Sequence, residues 1–121
     1  MAMLLFAGCD SPRDRAAARV RGSDGEKLRF ESARLHTQFF AAQGKEFAPV
    51  ASALWPECIG KLKPARVGLY KDGLTVALAE TDGMESGLHI VPSGVNLHPK
   101  DTPTTRYERL AEGIYWYEMK Q

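Results

Sequence analysis

Few side chains in this chain of 121 residues could do chemistry: two cysteines, Cys9 and Cys58, and three histidines, His36, His89 and His98. Metal sites take His and Cys at short, fixed spacings. Here there is no Cys-x-x-Cys, no His-x-x-x-His and no His-Glu-x-x-His. Ser86-Gly87 and Ser93-Gly94 lack the strand–turn–helix setting that exposes a nucleophilic serine. The glycines fall at turns and form no run that would cradle a phosphate. No metal, cofactor or catalytic residue is therefore expected, although an enzyme assembled from distant residues leaves no local motif. From their neighbours, His36 reads as a surface residue, His89 as a sheet-face residue and His98 as a loop residue. Cys58, within Pro56-Glu57-Cys58-Ile59, reads as a small buried apolar residue.

Cys9 stands apart. The chain opens with an apolar run that ends in two small residues and a cysteine, Leu5-Phe6-Ala7-Gly8-Cys9, and turns polar at Asp10-Ser11-Pro12. This pattern resembles the end of a bacterial lipoprotein signal peptide. The resemblance implies that residues 1–9 are a signal remnant and that Cys9 is the lipid attachment site, its thiol taking a diacylglyceryl group. Acyl chains then hold the protein to a membrane at ~0.8 kcal/mol per buried methylene. Asp10 becomes the second residue of the mature chain, which in enterobacterial lipoproteins resembles the signal for retention at the inner membrane. The run has no Lys or Arg before it and is short for a signal core. A start upstream of Met1 would supply both. The alternative is a frayed apolar terminus with an incidental cysteine. No stretch approaches the ~20 apolar residues that a spanning helix needs.

Composition sets the remaining limits. With 16 Lys and Arg against 15 Asp and Glu, the net charge of +1 gives no general electrostatic case for nucleic acid. A hydrophobic content of 44% and a charged content of 26% are those of one globular domain, placed at residues 26–121.

The elements that must position any site follow from local pattern. Ser11, Pro12 and Asp14 form a helix start, and residues 10–25 read as a basic linker or short helix, with Arg13, Arg15, Arg19 and Arg21 against Asp14. Ala16, Ala17, Ala18 and Val20 are too small an apolar set to hold that segment to a core, which favours the linker; the alternative is a basic helix lying on anionic headgroups. Ser23 with Glu26 starts a second helix over 24–43, with Leu28, Leu35, Phe39 and Ala42 on one face and Gly44 as its stop. Residues 47–63 are broken by Pro49 and Pro56, with a short helix opened by Pro56. Asp72-Gly73 predicts a two-residue hairpin turn that pairs Leu69 with Val76, Val67 with Leu78 and Tyr70 with Thr75. Residues 81–87 read as a loop, 88–91 as a short strand, 95–111 as irregular with a helical turn near 107–110, and 113–119 as a last strand. Helices followed by strands predict an α+β fold, with N-terminal helices packed on an antiparallel sheet of about four strands. The stretch from Leu54 to Lys120 faintly resembles small uncharacterised bacterial proteins, through Leu54-Trp55-Pro56-Glu57, Lys71-Asp72-Gly73 and Gly113-Ile114-Tyr115-Trp116-Tyr117. That resemblance implies no activity.

Strand alternation divides the sheet. Val67, Leu69, Val76, Leu78, Ile90 and Trp116 fall on the side expected to meet the long helix. Arg66, Tyr70, Thr75, His89, Tyr115 and Tyr117 fall on the other. Tyrosines with Arg and His give large contact area with polar tips, which suits partner recognition. The alternative is that these residues cover a second, minor core beneath residues 95–111. The functional expectation is a small envelope-anchored lipoprotein with a non-catalytic binding domain, facing the periplasm or the outside. Its partner is an unknown protein or envelope component. The rival readings are a soluble cytoplasmic protein of immunity or inhibitor type, and a small ligand-binding domain or enzyme.

Overall fold

The computed structural model describes residues 11–21, 23–40, 47–92 and 99–120. Cys9, Asp10, Ala42, Gly44 and His98 lie outside these described residues.

Helix α1 spans Pro12–Arg19, and Ser11 caps it by accepting the Asp14 N–H at 3.1 Å. The small apolar set of this segment does reach the core, contrary to the linker expectation: Ala16 and Val20 are buried. Small side chains let the helix approach β4 and β6 closely. Helix α2 spans Ser23–Leu35 and continues through a π-helical turn, His36–Phe40. Leu28 and Leu35 are buried, as their helical spacing requires. A 3-10 turn, Ser52–Leu54, precedes the short helix α3, Glu57–Gly60, for which Pro56 stands at the cap rather than in the first turn.

The strands are β1 (Phe47–Pro49), β2 (Arg66–Tyr70), β3 (Gly73–Thr81), β4 (Met84–Ile90), β5 (Thr105–Ala111) and β6 (Ile114–Lys120). They form one antiparallel sheet in the order β1-β2-β3-β4-β6-β5. The fold is thus α+β, with six strands where about four were expected. The additional strands are β1, hidden in the sequence by Pro49, and β5, which occupies the region read as irregular. Pro49 is tolerable because β1 is an edge strand.

The β2–β3 register also differs from the expected one. Tyr70 pairs with Gly73, Leu69 with Leu74 and Val67 with Val76, so Lys71 and Asp72 make the turn. Gly73 instead enters β3 beside a neighbouring backbone: a Cβ there would stand 2.4 Å from the Ile90 carbonyl oxygen. The Asp-Gly turn of the chain is Asp82-Gly83, with φ of 50° and 75°, joining Thr81 to Met84 in a segment expected to be a loop. These positive angles are what a two-residue turn between twisted strands requires.

One rung of the sheet runs Val67–Val76–Leu88–Trp116, and another Leu69–Leu74–Ile90–Ile114. All eight side chains are buried, in one cluster with Ala16, Val20, Leu28, Leu35 and Ile59 of the helices. Full burial of such side chains is worth roughly 1.5–3 kcal/mol each, which makes this cluster the main source of stability. Leu78, expected in the same row, sits at a bulge between Ala77 and Ala79 and is only half-buried.

Candidate functional site

The other face of the sheet includes three rungs besides the Tyr70–Gly73 pair at the hairpin end. Arg66, Ala77, Gly87, Tyr117 and Tyr107 form the middle one. Gly68, Thr75, His89, Tyr115 and Arg109 form the second, and Glu80, Glu85, Met119 and Thr105 the third. Period-two alternation therefore places Arg66, Tyr70, Thr75, His89, Tyr115 and Tyr117 on one face, despite the changed register. A hairpin slip by an even number of residues keeps every side chain on its side. The structure adds Glu85, Tyr107 and Asp72, none of which sequence reasoning singled out. Residues 105–111 extend the sheet beside β6 and do not lie over this face as a covering loop.

Glu85 organises one end. It is buried, with 4% of its surface exposed. One of its oxygens accepts from the Arg66 guanidinium and the other from the Tyr117 hydroxyl. Arg66 also donates to Glu80 at 2.8 Å. Tyr117 is itself buried, and that burial, followed by its bond to the Glu85 carboxylate, pushes its phenol far above the ordinary range. A buried carboxylate persists because a cation and a hydroxyl replace the water it lost.

His89 organises the other end. It is only 3% exposed. Its Nδ1 lies 3.3 Å from Thr75 Oγ1, and its Nε2 lies 3.6 Å from Asp72 Oδ2, outside hydrogen-bond reach. Among the described residues Nε2 has no hydrogen-bond partner. The Tyr107 ring meets the imidazole edge-on at 5.6 Å. Burial lowers the His89 pKa, and Asp72 opposes this more weakly, so the ring is neutral near pH 7. Tyr70 and Tyr107 are raised, first by burial and then by neighbouring carboxylates, Glu85 and Asp72 for Tyr70 and Asp72 and Asp101 for Tyr107.

Two adjoining cavities open on this face. The smaller, about 210 Å³, lies among Tyr70, Asp72, His89, Tyr107 and Tyr117. The larger, about 500 Å³, lies between Trp55, Arg66, Tyr70 and Ala77. They share Tyr70, Thr75, Glu85 and Met119. Of the sequence-predicted residues, Arg66, Tyr70, His89 and Tyr117 line a cavity, whereas Tyr115 lines neither.

Thr75, His89 and Asp72 stand in the order hydroxyl, imidazole, carboxylate. Acyl transfer would also need free backbone donors aimed at an oxyanion. Thr75 lies on β3, an interior strand whose backbone is paired with β2 and β4. The arrangement is suited to holding a polar group. Elsewhere, His36 Nε2 lies 3.0 Å from the Tyr70 carbonyl oxygen and supports the turn before Lys71. Cys58 is a half-buried free thiol whose pKa is raised by burial. Among the described residues no three His, Cys, Asp or Glu side chains are grouped to hold a metal ion.

The burial of His89 has a measurable consequence. Its proton is held more weakly in the folded than in the unfolded chain, so below about pH 6.5 the unfolded state takes up the proton first. The His89 contribution to stability is complete above that value and is lost as pH falls toward the lower folded value. Urea midpoints should therefore drop between pH 7 and pH 5, and His89→Gln should flatten that drop. An unchanged slope in the variant would place the titration elsewhere.

No family model, curated protein or solved structure matches the chain, so the geometry of this face is the ground for a functional reading.

Proposed function

We propose that this chain is a small lipid-anchored binding domain of the bacterial cell envelope, tethered through Cys9. It recognises a protein or envelope component through the open face of its sheet. The observation that carries the reading is the composition of that face. It holds a buried carboxylate with its cation, a buried imidazole with one nitrogen unpartnered among the described residues, and several tyrosines, around two open cavities. Buried polar groups oppose folding unless satisfied, and clusters of perturbed groups in a cleft mark functional sites. Arg66, Tyr70, His89, Tyr115 and Tyr117 are the proposed recognition residues. Tyr70, 38% exposed, is at the rim, while Tyr117 is part of the floor.

Two features support the tether. The Leu5-Phe6-Ala7-Gly8-Cys9 pattern resembles a lipid-attachment site, and α1 follows it closely in sequence. Arg15, Arg19, Lys61 and Lys63 line one groove beside α1. Basic groups at a membrane surface each contribute up to ~1 kcal/mol toward anionic headgroups. No helix among the described residues is long and apolar enough to cross a membrane.

The test is acylation. The gene, with its native upstream region, is expressed in a bacterium fed a palmitate analogue. Label on the wild type and none on Cys9→Ser is expected. An unlabelled wild-type protein in the cytosolic fraction would replace the anchored reading by the cytoplasmic interaction protein.

A further inference from the structure

We propose that the smaller cavity of the open face holds an alkylammonium group, bound between Asp72 and His89 and walled by Tyr70, Tyr107 and Tyr117. The inference rests on reading that face as the recognition surface and names the chemistry it selects.

The gap between Asp72 and His89 carries the argument. Asp72 Oδ2 and His89 Nε2 are 3.6 Å apart, too far to bond to each other. The nitrogen is buried and has no hydrogen-bond partner among the described residues. With its proton on Nδ1, His89 donates to Thr75 Oγ1, 3.3 Å away, and leaves the Nε2 lone pair beside Asp72. Two acceptors then face one another. Nε2 is sealed beneath Asp72, so entry requires the partly exposed Asp72 side chain to turn aside; a donor at about 2.9 Å from each, an ordinary hydrogen-bond length, then satisfies both. An ammonium carries three N–H donors and no acceptor, so a third remains for another oxygen of the cavity.

Charge and shape agree. Of the charged groups that line the two cavities, one is a cation, Arg66, bound to Glu85, and two are anions, Glu85 and Asp72, so Asp72 is the carboxylate left to meet an incoming cation beside the neutral imidazole. Arg109 shares the His89 rung but sits on edge strand β5 and lines neither cavity. Tyrosine faces attract cations through the ring quadrupole. A guanidinium prefers two oxygens of one carboxylate in its plane, whereas an oxygen beside a ring nitrogen suits a compact tetrahedral donor. About 210 Å³ admits an ammonium head and its methylene stem.

The experiment titrates the isotope-labelled full chain with butylammonium, with butanol, and with Nα-acetyl-lysine amide, at constant ionic strength, followed by NMR. Saturable shifts at His89, Tyr70 and Tyr107 with butylammonium and not with butanol are expected. The His89 Nε2 resonance should stay that of an unprotonated nitrogen. Asp72→Asn, a change at a turn residue whose side chain is 40% exposed, should fold normally and weaken binding at least tenfold. Tighter binding of the lysine amide would identify a peptide lysine as the source, and tighter binding of butylammonium a free amine. Equal shifts with butanol would overturn the ammonium inference while leaving the face as a binding surface. No saturable shift with either amine, or an unchanged affinity in Asp72→Asn, would overturn it as well.

Discussion

Replacing Gly87 by alanine is expected to destabilise the fold by about 3 kcal/mol, the upper end of the usual cost of overpacking. Gly87 lies in the middle of β4, paired with Ala77 on β3 and Tyr117 on β6. The β3 bulge between Ala77 and Ala79 lies beside this pair. A Cβ at Gly87 would stand 2.0 Å from the Val76 carbonyl oxygen and 3.0 Å from both Ala77 Cα and Leu78 N. These are backbone atoms of an interior strand, so no side-chain rotation relieves the contact. Gly83→Ala in the adjacent turn is the control. It has φ of 75° but nothing within 4 Å of its Cβ, and strain alone should cost about 1 kcal/mol. Urea unfolding of both variants separates the two effects. Equal destabilisation would mean that the β3 backbone does not approach Gly87 this closely.

The second large effect concerns the floor of the site. Arg66→Met removes the cation from a carboxylate that is 4% exposed. Breaking a fully buried pair costs ~3–5 kcal/mol, and because the Arg66 side chain is itself half-exposed a loss of about 2 kcal/mol is expected. Adding Glu85→Gln should recover more than half of that loss, since a neutral amide needs no counter-ion and still accepts from Tyr117. The double-mutant cycle should therefore show coupling of ~1 kcal/mol or more. Additive effects would mean that Arg66 acts through Glu80 alone. Glu80 and the Arg66 guanidinium lie near the surface, where ion pairs contribute little.

What the sequence made legible was mostly local. Ser11, Pro12 and Asp14 form the start of α1 because capping depends on three neighbouring residues. The composition of the open face was readable because alternation needs only a strand and its parity. Non-local features were not readable. Asp72-Gly73 has the composition of a turn, yet the role of Gly73 is set by the Ile90 carbonyl on the next strand. Glu85 is hidden in Asp82-Gly83-Met84-Glu85-Ser86-Gly87, a stretch of turn composition. The usable signal was the alternation of Met84, Ser86 and Leu88 against Glu85, Gly87 and His89, which runs unbroken into the expected third strand. The strand of Tyr107 is concealed because Glu108-Arg109-Leu110-Ala111 favours helix by propensity. Pairing with β6 overrode that preference, as context does for β-structure. Alternation of Thr105, Tyr107 and Arg109 was the local trace. Ala16 and Val20 make the opposite point: as a sequence they are too small an apolar set to dock a helix, whereas in the fold their small size is what allows close approach.

The most direct test of the recognition face is site-specific photo-crosslinking in cells. A benzophenone amino acid is placed at Tyr70 or Tyr115 on the open face, and at Phe30 on α2, which is 62% exposed, as the control. One adduct of discrete mass from positions 70 and 115, and none from position 30, is the expected result. Adducts from position 30 alone, or equally from all three, would contradict the assignment of the open sheet face as the binding surface.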